Sequence, residues 1–218
     1  MQKKLFTVKE MVLIATLAAI AYVIMALIRI PVVLFLKYEP KDVIITIGGF
    51  LLGPLAAFVT SLVVSLVEMV TVSDTGPIGA LMNLLSTCSF ACTAAFIYKK
   101  RHTLTGAILG LLLGSAVMVG AMILWNWLIT PLYMGVERSV VEGMLLTAFL
   151  PFNLLKAGLN TALVLVLYKP LVTTLRKAKL APSQVHSAGK GNKTGVLILG
   201  LALLATCILL LLVFQGKI

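Results

Sequence analysis

The sequence predicts an all-α integral membrane protein, built from six helices with a further apolar helix at the C-terminus. Three observations carry that expectation. The 218 residues are 61% hydrophobic and only 11% charged, where a soluble domain is about 45–50% apolar and about 25% charged. The mean hydropathy is +1.11. The apolar residues also fall into long runs separated by short polar or basic connections. A net charge of +11 would suggest nucleic acid in a soluble chain. Here the Lys and Arg residues cluster between the apolar runs, where they set topology and meet anionic lipid. Nucleic-acid binding is therefore not expected.

The first span covers residues 11–28, after the basic start MQKKLFTVKE. Ala19-Ile20-Ala21 resembles a signal-peptidase site, but the apolar run continues to Ile28, too long for a removable segment. A loop over residues 29–41 contains Pro31 and Pro40 and resists helix. Residues 42–52 form a short apolar piece, which Gly53-Pro54 breaks from a span at 55–72. A turn at 73–77 leads to a span at 78–98, then the cluster Lys99-Lys100-Arg101-His102, then a span at 104–129. Residues 130–142, with Pro131 and Gly135, read as a polar connection. Residues 143–175 form a long segment interrupted early by Pro151. A basic linker follows, and then the apolar run 194–214.

Charge decides how often residues 42–72 cross. Lys3, Lys4 and Lys9 place the N-terminus in the cytoplasm by the positive-inside rule. Two crossings put twelve of the 18 Lys and Arg residues on that same side; one crossing would place Lys99–Arg101 outside. The first crossing is then a helix of about 16 Å, half a bilayer, and the preceding loop must dip inward against a cavity to complete it. The expected organisation is a six-helix body at 1–176, a basic cytoplasmic linker at 177–193 and an added helix at 194–218.

No enzymatic machinery stands out. Cys88, Cys92 and Cys207 lie in apolar runs without a CxxC pair, and no metal set is expected around them. Residues 189–194 only loosely resemble a phosphate loop, lacking its spacing and a preceding strand. Asn192-Lys193-Thr194 spells a glycosylation sequon that a cytoplasmic location makes idle. Small residues recur at Ala15 and Ala19 and at Gly106, Gly110 and Gly114; the glycines suit either bundle packing or a partner face.

Polar residues inside the spans are more telling. The stretch PFNLLKAGLN (151–160) places Asn153, Lys156 and Asn160 on one helical face. A lysine in hydrocarbon costs roughly 2.5–3.5 kcal/mol, and its default reading is functional. Asn83 and Asn126 add amides in other spans, each with two donors and an acceptor. Glu68 shares a face with Ser61 and Ser65 and is expected either to pair with Lys156 or to be hydrated. Trp125 and Trp127 flank Asn126, and at least one suits an interfacial belt. Tyr38, Glu39 and Asp42 lie in the loop expected to dip inward. Together these suggest a pocket near the outer leaflet with many neutral amides and one lysine. It suits a flat, polar-edged, uncharged ligand better than proton pumping, which needs a chain of carboxylates.

At these residues the chain resembles a substrate-binding S component of the energy-coupling factor (ECF) vitamin transporters, of the riboflavin-specific type. The matching stretches are LKYEPKD (36–42), GGFLLGP (48–54), GPIGALMN (76–83), NWLITPLY (126–133) and PFNLLK (151–156), in order within residues 5–176. The resemblance implies six helices with cytoplasmic termini and a ligand cavity on the outer side capped by the first loop. It implies riboflavin as transported ligand, no cofactor, and docking on a transmembrane coupling subunit joined to two ATP-binding subunits. Ala15 and Ala19 match the docking motif; Asn126, Asn153 and Lys156 match positions that hydrogen-bond the flavin edge; Tyr38 and Asp42 match the capping loop. Asn160 lies outside the matched motif, and the run at 194–214 departs from the family pattern. Alternatives are capture of thiamine, biotin or a pyridoxal-like vitamin, an intramembrane enzyme using Glu68 and Lys156 as an acid/base pair, or a structural membrane protein whose polar stripes only pack helices.

Overall fold

A computed structural model describes residues 6–73, 75–179 and 193–217. Residues 189–192 of the segment resembling a phosphate loop, with the sequon's Asn192, and Lys3, Lys4, Asp74, His186 and most of the basic linker lie outside these residues. Helix α1 (Val8–Leu27) opens on a capping box, in which Thr7 and Glu10 satisfy each other's backbone N–H groups. A two-stranded antiparallel hairpin follows, β1 (Ile30–Val33) with β2 (Leu36–Tyr38), pairing Ile30 with Tyr38. Then come α2 (Lys41–Leu52), α3 (Pro54–Thr71), α4 (Gly76–Arg101) and α5 (Leu104–Met134). The short α6 (Arg138–Met144) runs through a π-helical turn (Leu145–Phe149) into α7 (Leu150–Lys177), and α8 (Lys193–Phe214) ends the described chain.

Among the described residues, six segments are long and apolar enough to cross a membrane: α1, α3, α4, α5, the run Arg138–Leu175 and Thr194–Phe214. Helix α2, at 12 residues, is about 18 Å long and cannot span a hydrocarbon core of about 30 Å. It lies at the centre, packed by α1, α3, α4 and α7. Ten of its residues are buried. Gly53, at φ +98°, makes the break to α3, a conformation that suits a residue without Cβ.

The connection expected at 130–142 is largely helical. Helix α5 continues through buried Pro131 to Met134 and ends at Gly135, whose N–H closes on the Pro131 carbonyl. Proline inside a membrane helix is tolerated when neighbours re-satisfy the freed backbone. Pro151 likewise does not break its segment. It follows directly on the π turn, where the helical bonding pattern is already shifted.

Of the two readings of the α5 glycines, bundle packing holds. A Cβ at Gly110 would fall 2.7 Å from the Ala94 carbonyl oxygen, and one at Gly114 2.6 Å from that of Phe90. Helices α4 and α5 therefore touch backbone to backbone, the most extensive contact in the molecule. Gly110→Val is expected to lower stability by about 1–3 kcal/mol, read as a drop in melting temperature of the detergent-solubilised protein.

Candidate functional site

The hairpin ties the hairpin end of the bundle together and covers a cavity of about 250 Å³, near the lower bound of ligand pockets at about 300 Å³. Its polar wall is formed by Arg29, Glu39, Glu68, Asn83, Asn153 and Lys156, and its apolar wall by Phe35, Leu36, Met82, Met122, Tyr133 and Phe152. Phe35, at the hairpin tip, meets Tyr133 edge-on with ring centroids 5.4 Å apart. The long reach of α5 past Pro131 is what carries Tyr133 there.

Two buried ionic clusters stand behind that wall, both centred on the first turn of α2. In the first, Lys41, 1% exposed, holds Glu39 at 2.7 Å and also pairs with Glu68 of α3. Arg29 joins from the start of the hairpin: its Nε donates to Glu39 at 2.8 Å, its Nη1 donates to the Val72 carbonyl at 2.5 Å, and its Nη2 lies 3.9 Å from Glu68. Asn83 Nδ2 donates to Glu68 Oε1 at 2.8 Å. In the second, Asp42, 0% exposed, accepts from Thr87 (2.6 Å) and Asn160 (3.1 Å) and pairs with Lys156 at 3.1 Å. Lys156 also donates to Ser86 Oγ at 3.0 Å, and Tyr38 donates to Asn160 Oδ1 at 3.1 Å. Buried ions of this kind persist only when paired and fully hydrogen-bonded.

Burial opposes the charge on Glu39, but Lys41 and Arg29 outweigh it and hold its carboxyl below the ordinary glutamate value. Burial, reinforced by the neighbouring Asp42 charge, pushes the Tyr38 phenol far above its usual range, so it remains a hydrogen-bond donor.

The structure brings together most of the residues expected from sequence, in changed roles. Asn83, Glu68, Asn153 and Lys156 line the cavity. Tyr38, Asp42 and Asn160 stand behind it as a buried relay onto Lys156. Asp42 is not a loop residue: it occupies the first turn of α2, where a carboxylate also complements the helix dipole. The expected Glu68–Lys156 pairing is corrected, because each acid takes the lysine nearer its own layer, Glu68 with Lys41 and Asp42 with Lys156. The expected lining of neutral amides with one lysine is corrected too, since Arg29 and Lys37 line the cavity beside Lys156, with the carboxylates of Glu39 and Glu68. Asn126 is fully buried but spends its amide within α5, donating to the Met122 carbonyl and accepting from Thr130. Asn153 Nδ2 donates back to the Phe149 carbonyl, one turn earlier at the end of the π turn. Trp127 bonds Glu142 beneath Arg138, whereas Trp125 packs on the core. Among the described residues no group of His, Cys, Asp and Glu could hold a metal ion.

Sequence reasoning missed Lys41 and Arg29. Both read as loop charges beside Pro40 and Pro31; the available signal was the shortness of the following helix, which forces its start to lie at depth. Lys41→Met would leave Glu39 with Arg29 alone and Glu68 with Asn83 and the more distant Arg29, a change expected to cost about 3–5 kcal/mol. Thermal melts should show that loss shrinking as pH falls and the under-compensated carboxyls take protons. In the unaltered protein the sign is opposite: Glu39, with its folded pKa lowered, contributes stability that is present above the ordinary glutamate value and lost as pH falls through the lowered one.

Comparison with known proteins agrees with this geometry. The chain matches the family described as "ECF transporter, substrate-specific component" over residues 9–168. It is 28% identical over 188 residues to the riboflavin transporter FmnP of Bacillus subtilis (strain 168), covering 79% of this chain and 98% of that protein. It is 27% identical over 179 residues to the riboflavin transporter RibU of Staphylococcus aureus (strain TCH60), covering 78% and 93%. A solved structure, described as "Structure and mechanism of the S component of a bacterial ECF transporter", superposes with a TM-score of 0.65 at 28% identity, covering 77% of this chain and 98% of that one. These matches, with Glu68 and Lys156 each paired to a different residue, remove the intramembrane-enzyme alternative. A multi-pass helical bundle with a capped polar cavity, matched over most of its length, places this chain in the family of ECF transporter substrate-specific components.

Proposed function

We propose that this protein captures riboflavin in the cavity beneath the hairpin and presents it for transport. The observation that carries this is a polar wall of paired charges facing an aromatic one. Arg29, Lys41 and Lys156 are paired with Glu39, Asp42 and Glu68, and Lys37 adds a further cation on the hairpin side. A planar ligand with alternating donors and acceptors on one edge suits such a site, whereas cationic thiamine would meet an excess of positive charge. The isoalloxazine ring meets that description, and the two whole-length relatives are named as riboflavin transporters. Lys156, Asn153 and Asn83 would hydrogen-bond the flavin edge, with Phe35, Tyr133, Phe152 and Met82 against its faces. Tyr38, Asp42 and Asn160 position Lys156, Glu68 orients Asn83, and Asn126 stiffens α5 behind the wall. The flavin is cargo and not a cofactor.

In this reading the hairpin end faces outward and the N-terminus is cytoplasmic. The basic end of α4, with Lys99, Lys100 and Arg101 exposed, supports that orientation. Residues 1–176 form the binding body, and 177–193 link it to α8. Delivery requires a transmembrane coupling subunit and two ATP-binding subunits. Ala15 and Ala19 are exposed on α1, where small side chains allow close approach of a partner helix.

The direct test is quenching of riboflavin fluorescence by the purified protein, with thiamine, biotin and pyridoxal as competitors. Saturable quenching at micromolar riboflavin or below is expected, and its absence would remove the reading. Lys156→Ala and Asn153→Ala should each weaken binding by more than about 1 kcal/mol, while Asn126→Ala should lower the melting temperature more than the affinity. In cells carrying the whole transporter, Ala15→Leu is expected to abolish uptake while the purified variant binds normally; normal uptake would return α1 to ordinary lipid contact.

A further inference from the structure

Helix α8 is membrane-length and apolar, yet it contributes nothing to the cavity wall. Its position is nevertheless specific. It packs along α7 and touches β1. A Cβ at Gly158 of α7 would fall 2.7 Å from Cys207 Sγ, and one at Gly200 of α8 would fall 3.1 Å from Val166. The two helices are therefore seated closely at two depths. Near its C-terminal end, Cys207 and Leu211 are buried in one apolar cluster with Val32, Leu36 and Tyr38 of the hairpin and Phe152 and Leu155 of α7. Just past the helix, Gln215 Nε2 donates to the Pro31 carbonyl of β1 at 3.0 Å.

A two-stranded hairpin is marginal by itself and depends on what holds it. Besides the ring contacts of Phe35 with Tyr133 and Phe149 at its tip, this one has three ties. Arg29 anchors its start to α3, and Tyr38 anchors its end to Asn160 of α7. Both run through the polar network behind the cavity, where a ligand would compete with or reorganise them. The third, from Cys207, Leu211 and Gln215, comes from the far side and touches no lining polar group. Leu36, Phe35 and Lys37 of the hairpin line the cavity, so displacing the hairpin would widen the cavity.

We propose that α8 is a built-in brace for the cap, with Gln215 as a positioning residue that slows hairpin opening and so lengthens ligand residence. The residence part rests on the flavin reading above; the brace itself does not.

The test uses the full chain in nanodiscs, with Gln215→Ala, Gln215→Glu, Leu211→Ala and, as a lipid-facing control, Leu209→Ala (Leu209 is 56% exposed). Hydrogen exchange of backbone amides at 30–38 is measured without ligand, and riboflavin dissociation by stopped-flow recovery of fluorescence. The Gln215 variants are expected to speed both by about three- to tenfold, the scale of one net hydrogen bond. Leu211→Ala should do likewise, with Leu209→Ala and the amides of α5 unchanged. Unchanged exchange at 30–38 in both Gln215 variants and Leu211→Ala would overturn the brace. Faster exchange with unaltered flavin release would overturn its role in residence. Faster exchange in a protein that binds no flavin at all would uphold the brace and reject the flavin reading.

Discussion

A helix of 12 residues at the centre of a membrane bundle starts in the wrong place for its backbone. Its first N–H groups, unsatisfied by the helix itself, lie at a depth where water cannot be counted on. No side chain caps those N–H groups; what gathers at this turn is a set of ion pairs around Lys41 and Asp42. Asp42 puts a carboxylate at the positive end of the α2 dipole; Thr87 of α4 and Asn160 and Lys156 of α7 then complete its hydrogen bonds. Lys41 repeats the arrangement toward Glu39 and Glu68. Because α2 is held by α3, α4 and α7 at this one turn, the relative positions of every cavity wall follow from it. The cavity is the space left where a full-length helix would have continued.

This origin explains why the polar groups can serve both folding and binding. A buried charge pair stabilises little against an apolar alternative of the same shape, and six such groups are a poor way to hold a bundle together. They suit a site that must exchange partners, because a ligand edge can replace one hydrogen bond of Lys156 or Asn83 without leaving an ion unpaired. The apolar contacts carry the fold instead: the glycine seam of α5 against α4, and Gly49 of α2, where a Cβ would fall 2.9 Å from that of Ala95 and 3.0 Å from that of Ala57.

Much of this was legible in the sequence. Apolar length located α1, α3, α4 and α8, and Gly53-Pro54 marked the break between α2 and α3. The stripe of Asn153, Lys156 and Asn160 proved to be a cavity wall with its support. Partner choice was not legible. Hydropathy gives no ranking between Lys41 and Lys156 as the mate of Glu68, since both lie about a helix diameter away until α2 is placed in depth. The course of residues 130–144 was hidden for a different reason: Pro131 and Gly135 are loop signals in water, but a membrane helix with close neighbours absorbs the first and ends on the second. The hairpin was missed because β1 contains a proline and β2 only three residues, too little pattern for a strand.

The π turn at Leu145–Phe149 adds one residue to the helical count, which rotates everything on one side of it by about 100° relative to the other. Helix α6 and helix α7 are therefore one continuous rod with two unrelated facings. Upstream, Val141 points into the hairpin cluster while Glu142 reaches Trp127 at the surface; downstream, Asn153 and Lys156 face the cavity. The turn works as a phase shifter, letting a single helix serve an aromatic-and-charge collar at its end and a polar interior below. Asn153 bonds the Phe149 carbonyl at the end of this turn, so the irregular turn and the residue aimed into the cavity are adjacent parts of one local geometry.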